Sequence, residues 1–107
     1  MKLTIVLSAK NMETNWNAFR LANLAITKGD EVNVFLLGEA VEYDKVVQEL
    51  FDLKGQVNAF LKRGRAKIIT CGACMESRQI EKSAVCPMGG IEDLYSLVAK
   101  SDKVLTF

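Results

Sequence analysis

The chain has no histidine. That removes the Cys-His and Ser-His-Asp nucleophiles, which need an imidazole to take a proton near neutral pH. It also weakens any zinc site. Cys71, Cys74 and Cys86 are the only thiols, no fourth ligand stands out, and there is no second C-x-x-C. Neither G-x-G-x-x-G nor G-x-x-x-x-G-K-[ST] occurs, so no motif supports nucleotide binding. No cofactor and no metal are expected. Long apolar runs are missing too: no stretch of 18 uncharged apolar residues exists to form a membrane span. The apolar start, Met1 to Ser8, is too short for a signal peptide and reads as a strand. Net charge is +1 with both signs interspersed. There is no basic block and no interleaving of aromatic with basic residues, so no electrostatic footprint for nucleic acid. Proline occurs once, at Pro87, and no linker, repeat or low-complexity stretch breaks the chain.

What is present is a hydrophobic chain of modest length. Half of its 107 residues are apolar, at the upper end for a small soluble domain, which hints at a subunit interface. Residues 1–107 read as a single domain, and a cytoplasmic location is expected. In that compartment, three cysteines point to redox, catalytic or metal chemistry more than to structural disulfides.

The periodicity alternates between strand and helix. Leu3 to Leu7 is a nearly continuous apolar run, as in a strand covered on both faces. After the loop Ser8–Asn11, in which Asn11 or Thr14 can cap, Trp16, Phe19, Ala22, Leu24, Ala25 and Ile26 recur at helical spacing. Lys28-Gly29-Asp30 stops this helix. Val32 to Leu37 is a second strand, closed by Gly38. Val46, Val47, Leu50, Phe51 and Leu53 fit an amphipathic helix that Lys54-Gly55 breaks, followed by a short helix through Val57, Phe60 and Leu61. Ala66 to Thr70 is a third strand, and residues 82–90 form an irregular loop. Ile91, Leu94, Tyr95, Leu97 and Val98 make a last helix with Glu92 and Asp93 in its first turn. Lys103 to Phe107 closes as a strand. Such alternation implies right-handed β-α-β units: an α/β fold with a mostly parallel sheet and helices on both faces.

The chemistry should gather beyond the carboxyl ends of the strands. Three loops qualify: Ser8–Asn11, Gly38–Tyr43 and Cys71–Cys74. Cys71 ends a β-branched run, Ile68-Ile69-Thr70, and precedes a helix-forming stretch from Ala73 to Ile80. A thiol at a helix start is expected to have a lowered pKa and to be the most reactive of the three. Cys74, three residues on, is open to three readings: a resolving thiol, a metal ligand or a core filler. Arg78, two helical turns after Cys71, should share its face and hold an anionic sulfur or a partner's carboxylate. Lys10 and Asn11 are weaker contributors from the first loop.

From end to end the chain resembles the DsrE/DsrF-like family, which includes sulfur-relay subunits. The likeness is carried by the Lys2–Leu7 strand with its long helix and by Ala66–Thr70 followed by Cys71 and a helix with Arg78. It continues through Gly90-Ile91-Glu92-Asp93-Leu94-Tyr95 and the closing segment Ser101 to Phe107. The family often has Gly after the helix arginine, where this chain has Gln79. The resemblance implies a three-layer α/β/α sandwich assembled as homotrimers or homohexamers. It also implies a persulfide accepted and passed on at Cys71, with Cys74 as a second motif cysteine, between sulfur donor and acceptor proteins. On that expectation the chain is a sulfurtransferase-like persulfide carrier. Cys74 could assist release through a Cys71–Cys74 disulfide, so Cys74→Ser is expected to leave loading intact and slow release. Two other classes remain open: a non-catalytic oligomeric binding module with buried cysteines, and a C-x-x-C thiol redox protein.

Overall fold

The register of the sheet shows why the apolar runs are continuous. In the computed structural model, which describes residues 1–45, 50–80 and 87–107, every strand pairs in parallel. The strands are β1 (Lys2–Leu7), β2 (Glu31–Leu36), β3 (Ala66–Cys71), β4 (Met88–Gly89) and β5 (Lys103–Thr106), in the order β4-β3-β2-β1-β5. β1 and β2 are central and buried from their second residue onward. Both faces of the sheet are covered, so neither strand has a polar side to show.

One face carries the main core. Leu3, Ile5, Leu7, Val32, Val34, Leu36 and Ile68 pack against α1 (Met12–Thr27) and α2 (Leu53–Leu61). Asn11 caps α1, its side chain accepting the Thr14 N–H at 3.0 Å. The helix buries Met12, Asn15, Ala18, Phe19, Ala22 and Ala25. Leu24, expected inward, is exposed. α1 meets α2 through an edge-to-face Phe19–Phe60 pair at 5.7 Å, and Asn23 Nδ2 donates to the Gln56 carbonyl at 3.0 Å. The opposite face holds Thr4, Val6, Asn33 and Phe35, all buried. α4 (Ile91–Lys100) lies over it, with a Thr4–Ser101 hydroxyl hydrogen bond at the end of the helix. The result is the three-layer α/β/α arrangement.

Three local expectations change. Gly55 does not break a helix, because α2 starts at Leu53 and passes through it. Asp52 is the N-cap and accepts the Gly55 N–H at 2.9 Å. A Cβ at Gly55 would run into the Asp52 carboxylate, so glycine here serves the cap. Leu50 is 82% exposed and precedes α2. Val46 and Val47 lie outside the described residues. Within the supposed irregular loop, Met88 and Gly89 pair with Thr70 and Cys71 as β4. A Cβ on Gly89 would stand 2.5 Å from Ile69 Cγ2, so any side chain here has to displace Ile69. Finally, the helix after Cys71, α3, stops at Ser77 rather than near Ile80.

Candidate functional site: a thiol pair at the carboxyl edge of the sheet

Leu7, Leu36 and Thr70 stand side by side across β1, β2 and β3. The three strands therefore end level, and the residues that follow share one rim. Leu37 N–H still bonds the Leu7 carbonyl at 3.0 Å. At Gly38 the chain turns with φ of +57°, a left-handed conformation that glycine adopts freely. A 3-10 segment, Gly38–Lys45, follows. The turn aims the Gly38 N–H at Cys74, whose Sγ accepts it at 3.2 Å.

Cys74 lies in the first turn of α3 (Gly72–Ser77) and is half-buried. The Gly38 amide is the largest influence on its thiol and holds its pKa below the ordinary value. The neighbouring Cys71 side chain and the charge of Arg78 act in the same direction, and burial opposes them. Donors aimed at a sulfur favour its charged form.

Cys71 differs from expectation. It ends β3 and is the N-cap residue of α3, half-buried, but its pKa is raised rather than lowered. Burial is the main cause, and the adjoining Cys74 sulfur adds to it. The N–H groups of Cys74 and Ala73 pull the other way without making a cap hydrogen bond. The helix that was to supply the lowering is only six residues long. The two thiols influence each other's ionisation, with Cys74 shifted down and Cys71 up.

Arg78 also serves Cys74 rather than Cys71. It is the C-cap of α3, and its Nη1 donates to the Cys74 carbonyl at 3.3 Å. Its Nε stands 3.6 Å from Glu42 Oε2, tying α3 to the 3-10 segment. The carboxylate it meets is thus from its own chain. Gln79 follows with φ of +54°. The N–H of Ile80 reaches Met75 O at 2.9 Å and that of Gln79 reaches Glu76 O at 3.0 Å, the two bonds of a Schellman ending. This is the position where the family often has glycine.

The remaining expected contributors lie apart. Asn11 is committed to capping α1, and Lys10 Nζ is 3.9 Å from Glu39 in an exposed pair. Cys86 is outside the described residues. Among the described residues, no three His, Cys, Asp or Glu side chains converge as metal ligands. Sequence reasoning missed Gly38 and Glu42 as individual residues, though both fall in the loop Gly38–Tyr43. A glycine directly after a buried strand, at the carboxyl edge, was the available signal.

A parallel α/β sheet with a thiol pair on its carboxyl rim describes a small cysteine-bearing protein of the three-layer class. The chain belongs to the DsrE/DsrF-like family, whose profile matches residues 1–107. It is 29% identical to the uncharacterized protein MJ0989 of Methanocaldococcus jannaschii over the whole of both chains. The fold is that of the YchN protein of E. coli, with a TM-score of 0.81, 20% identity and full coverage of both chains. No helix among the described residues is long and apolar enough to cross a membrane.

Proposed function

We propose that this chain is a sulfur-relay protein that accepts persulfide sulfur at Cys71 and passes it on, with Cys74 as the base that activates Cys71. The observation that carries this reading is the Cys74 sulfur fixed on the Gly38 N–H, 3.2 Å away, beside Cys71 at the end of β3. A nucleophile, a base within reach and a third group orienting the base form the usual arrangement for covalent catalysis. The Cys71 sulfur attacks the outer sulfur of a donor persulfide, R–S–SH. The donor S–S bond breaks, and its electron pair leaves on the inner sulfur as R–S⁻. The Cys71 proton passes to Cys74. A thiol with a raised pKa is the stronger nucleophile once its proton is removed, which suits Cys71 to the attack.

The test uses Cys74→Ser and Cys71→Ser, each in a Cys86→Ser background, incubated with glutathione persulfide and examined by intact mass and peptide mapping. Cys74→Ser should gain one sulfur on Cys71 at alkaline pH, where Cys71 ionises unaided. Sulfur recovered only on Cys74 of Cys71→Ser would move the acceptor to the other thiol. Sulfur on neither chain would leave the binding-module reading.

We also propose that the relay unit is a homo-oligomer, a trimer or a multiple of it, working between sulfur donor and acceptor proteins in the cytoplasm. Supporting this, α4 is amphipathic but buries none of its residues within the chain. Ile91 and Tyr95 are 74% and 75% exposed, and Val98 continues the stripe one turn on. β5 beside it is exposed throughout, with Val104 and Leu105 showing. Apolar surface gathered in this way is more than scattered exposure and marks an interaction face.

A further inference from the structure

A carrier must keep its persulfide intact until an acceptor arrives, and the sulfur held by Gly38 works against that. Cys71 is the N-cap residue of α3, with φ −62° and ψ 115°, and Cys74 is its third helical residue. These are the two positions whose side chains lean toward each other in a capping box. Residues three apart on a helix have Cβ atoms about 5–6 Å apart. A disulfide needs Cβ atoms ~3.8 Å apart, so closing the bond draws the first turn of α3 in. Cys74 is fixed on this side from two directions. Gly38 N–H holds its sulfur at 3.2 Å, and Arg78, paired with Glu42 at 3.6 Å, holds its carbonyl at 3.3 Å. Each of the two side chains shifts the ionisation of the other in the resting pair. An added sulfur on Cys71 leaves the inner sulfur bonded to the Cys71 Cβ, three residues from Cys74.

We propose that the pair has a second activity, the reductive release of sulfide from the Cys71 persulfide, with Cys74 as the attacking sulfur and a dithiol as the reductant that resets it. This rests on the persulfide loading proposed above. The Cys74 thiolate attacks the inner sulfur of Cys71–S–SH, forming the Cys71–Cys74 bond. The terminal S–S bond breaks, and its electron pair leaves on hydrosulfide, HS⁻. Both cysteine sulfurs are then oxidised to a disulfide and the sulfane sulfur is reduced to sulfide. The dithiol reduces the disulfide by exchange, supplying two electrons and two protons and ending as its own cyclic disulfide. Over a cycle, R–S–SH and a dithiol become R–SH, hydrogen sulfide and a cyclic disulfide. The substrate class is therefore a low-molecular or protein persulfide, and the product is sulfide rather than a transferred sulfur.

The experiment adds glutathione persulfide to the reduced full-length chain without a dithiol and follows both evolved sulfide and intact mass. The wild-type chain should release sulfide in proportion to protein, and its mass should fall by two hydrogens as the disulfide forms. Cys71→Ser should release none. At alkaline pH, where Cys71 ionises unaided, Cys74→Ser should keep the added sulfur on Cys71 and release sulfide only when an external thiol is supplied. With dithiothreitol present, the wild type should turn over repeatedly and faster than Cys74→Ser, whose persulfide only the external dithiol can reduce. A wild-type chain that accumulates the persulfide without a disulfide would overturn the proposal, and so would Cys74→Ser releasing sulfide at the wild-type rate. Failure of Cys74→Ser to take up sulfur even at alkaline pH would instead refute the loading on which the proposal rests.

Discussion

At the scale of single residues, the site turns on one amide. Gly38 reaches Cys74 from 36 positions away in sequence, so no local pattern around the cysteines could announce it. The C-x-x-C and its place on the rim were legible; the distribution of charge between the two thiols was not. A helix dipole had been credited to Cys71, but the helix is short, and burial of Cys71 outweighs its terminal amides. Alkylation rates resolved by peptide mapping should therefore show Cys74 ionising below the free-thiol value of about 8.5 and Cys71 above it. In Cys74→Ser the Cys71 limb should move down in pH, because a neighbouring anion is lost, yet remain raised by burial. Equal limbs for the two thiols in the wild type would contradict the geometry. Gln79 gives a second prediction. A non-glycine residue held at φ +54° is strained, so Gln79→Gly should stabilise the chain by roughly 1 kcal/mol in urea denaturation.

At the scale of elements, the apolar strands, the long first helix and the last helix follow directly from periodicity. Two of the differences turn on what a glycine faces. Gly55 looked like a helix breaker because its partner, the Asp52 carboxylate, is visible only once the cap is built. Asp52→Ala should lower stability by about 1 kcal/mol, the usual value of an N-cap, as read from the shift in denaturant midpoint. β4 escaped notice because two residues carry no periodicity, and its existence depends on Gly89 lying against Ile69. Gly89→Ala forces Ile69 and Asp93 aside and should cost about 1–3 kcal/mol, the range for overpacking. Since β4 pairs with Cys71 itself, the same substitution should also alter the alkylation rate of that thiol.

For the whole molecule, strand order and register put the three informative loops on one rim, as strand–helix alternation required. What the sequence could offer only as an apolar excess, the fold concentrates on α4 and β5. Among the described residues the core is built without Ile91, Tyr95 and Val98, which are exposed. Light scattering at micromolar concentration should report an assembly larger than a dimer. Tyr95→Glu places a charge in the middle of the stripe and should shift the protein toward monomer while leaving its circular dichroism unchanged. A wild-type chain that scatters as a monomer would leave that face without the partner proposed for it.

The donor that holds the Cys74 sulfur belongs to the main chain. Alanine scanning, which edits side chains, would pass over the group on which the thiolate depends. Proline, which deletes an N–H, cannot serve at Gly38, because its φ near −65° is incompatible with +57°. The donor can be removed cleanly only by chemical synthesis, with an ester replacing the amide between Leu37 and Gly38. It also follows that random mutagenesis would trace this site to its two cysteines and leave the third participant unrecorded.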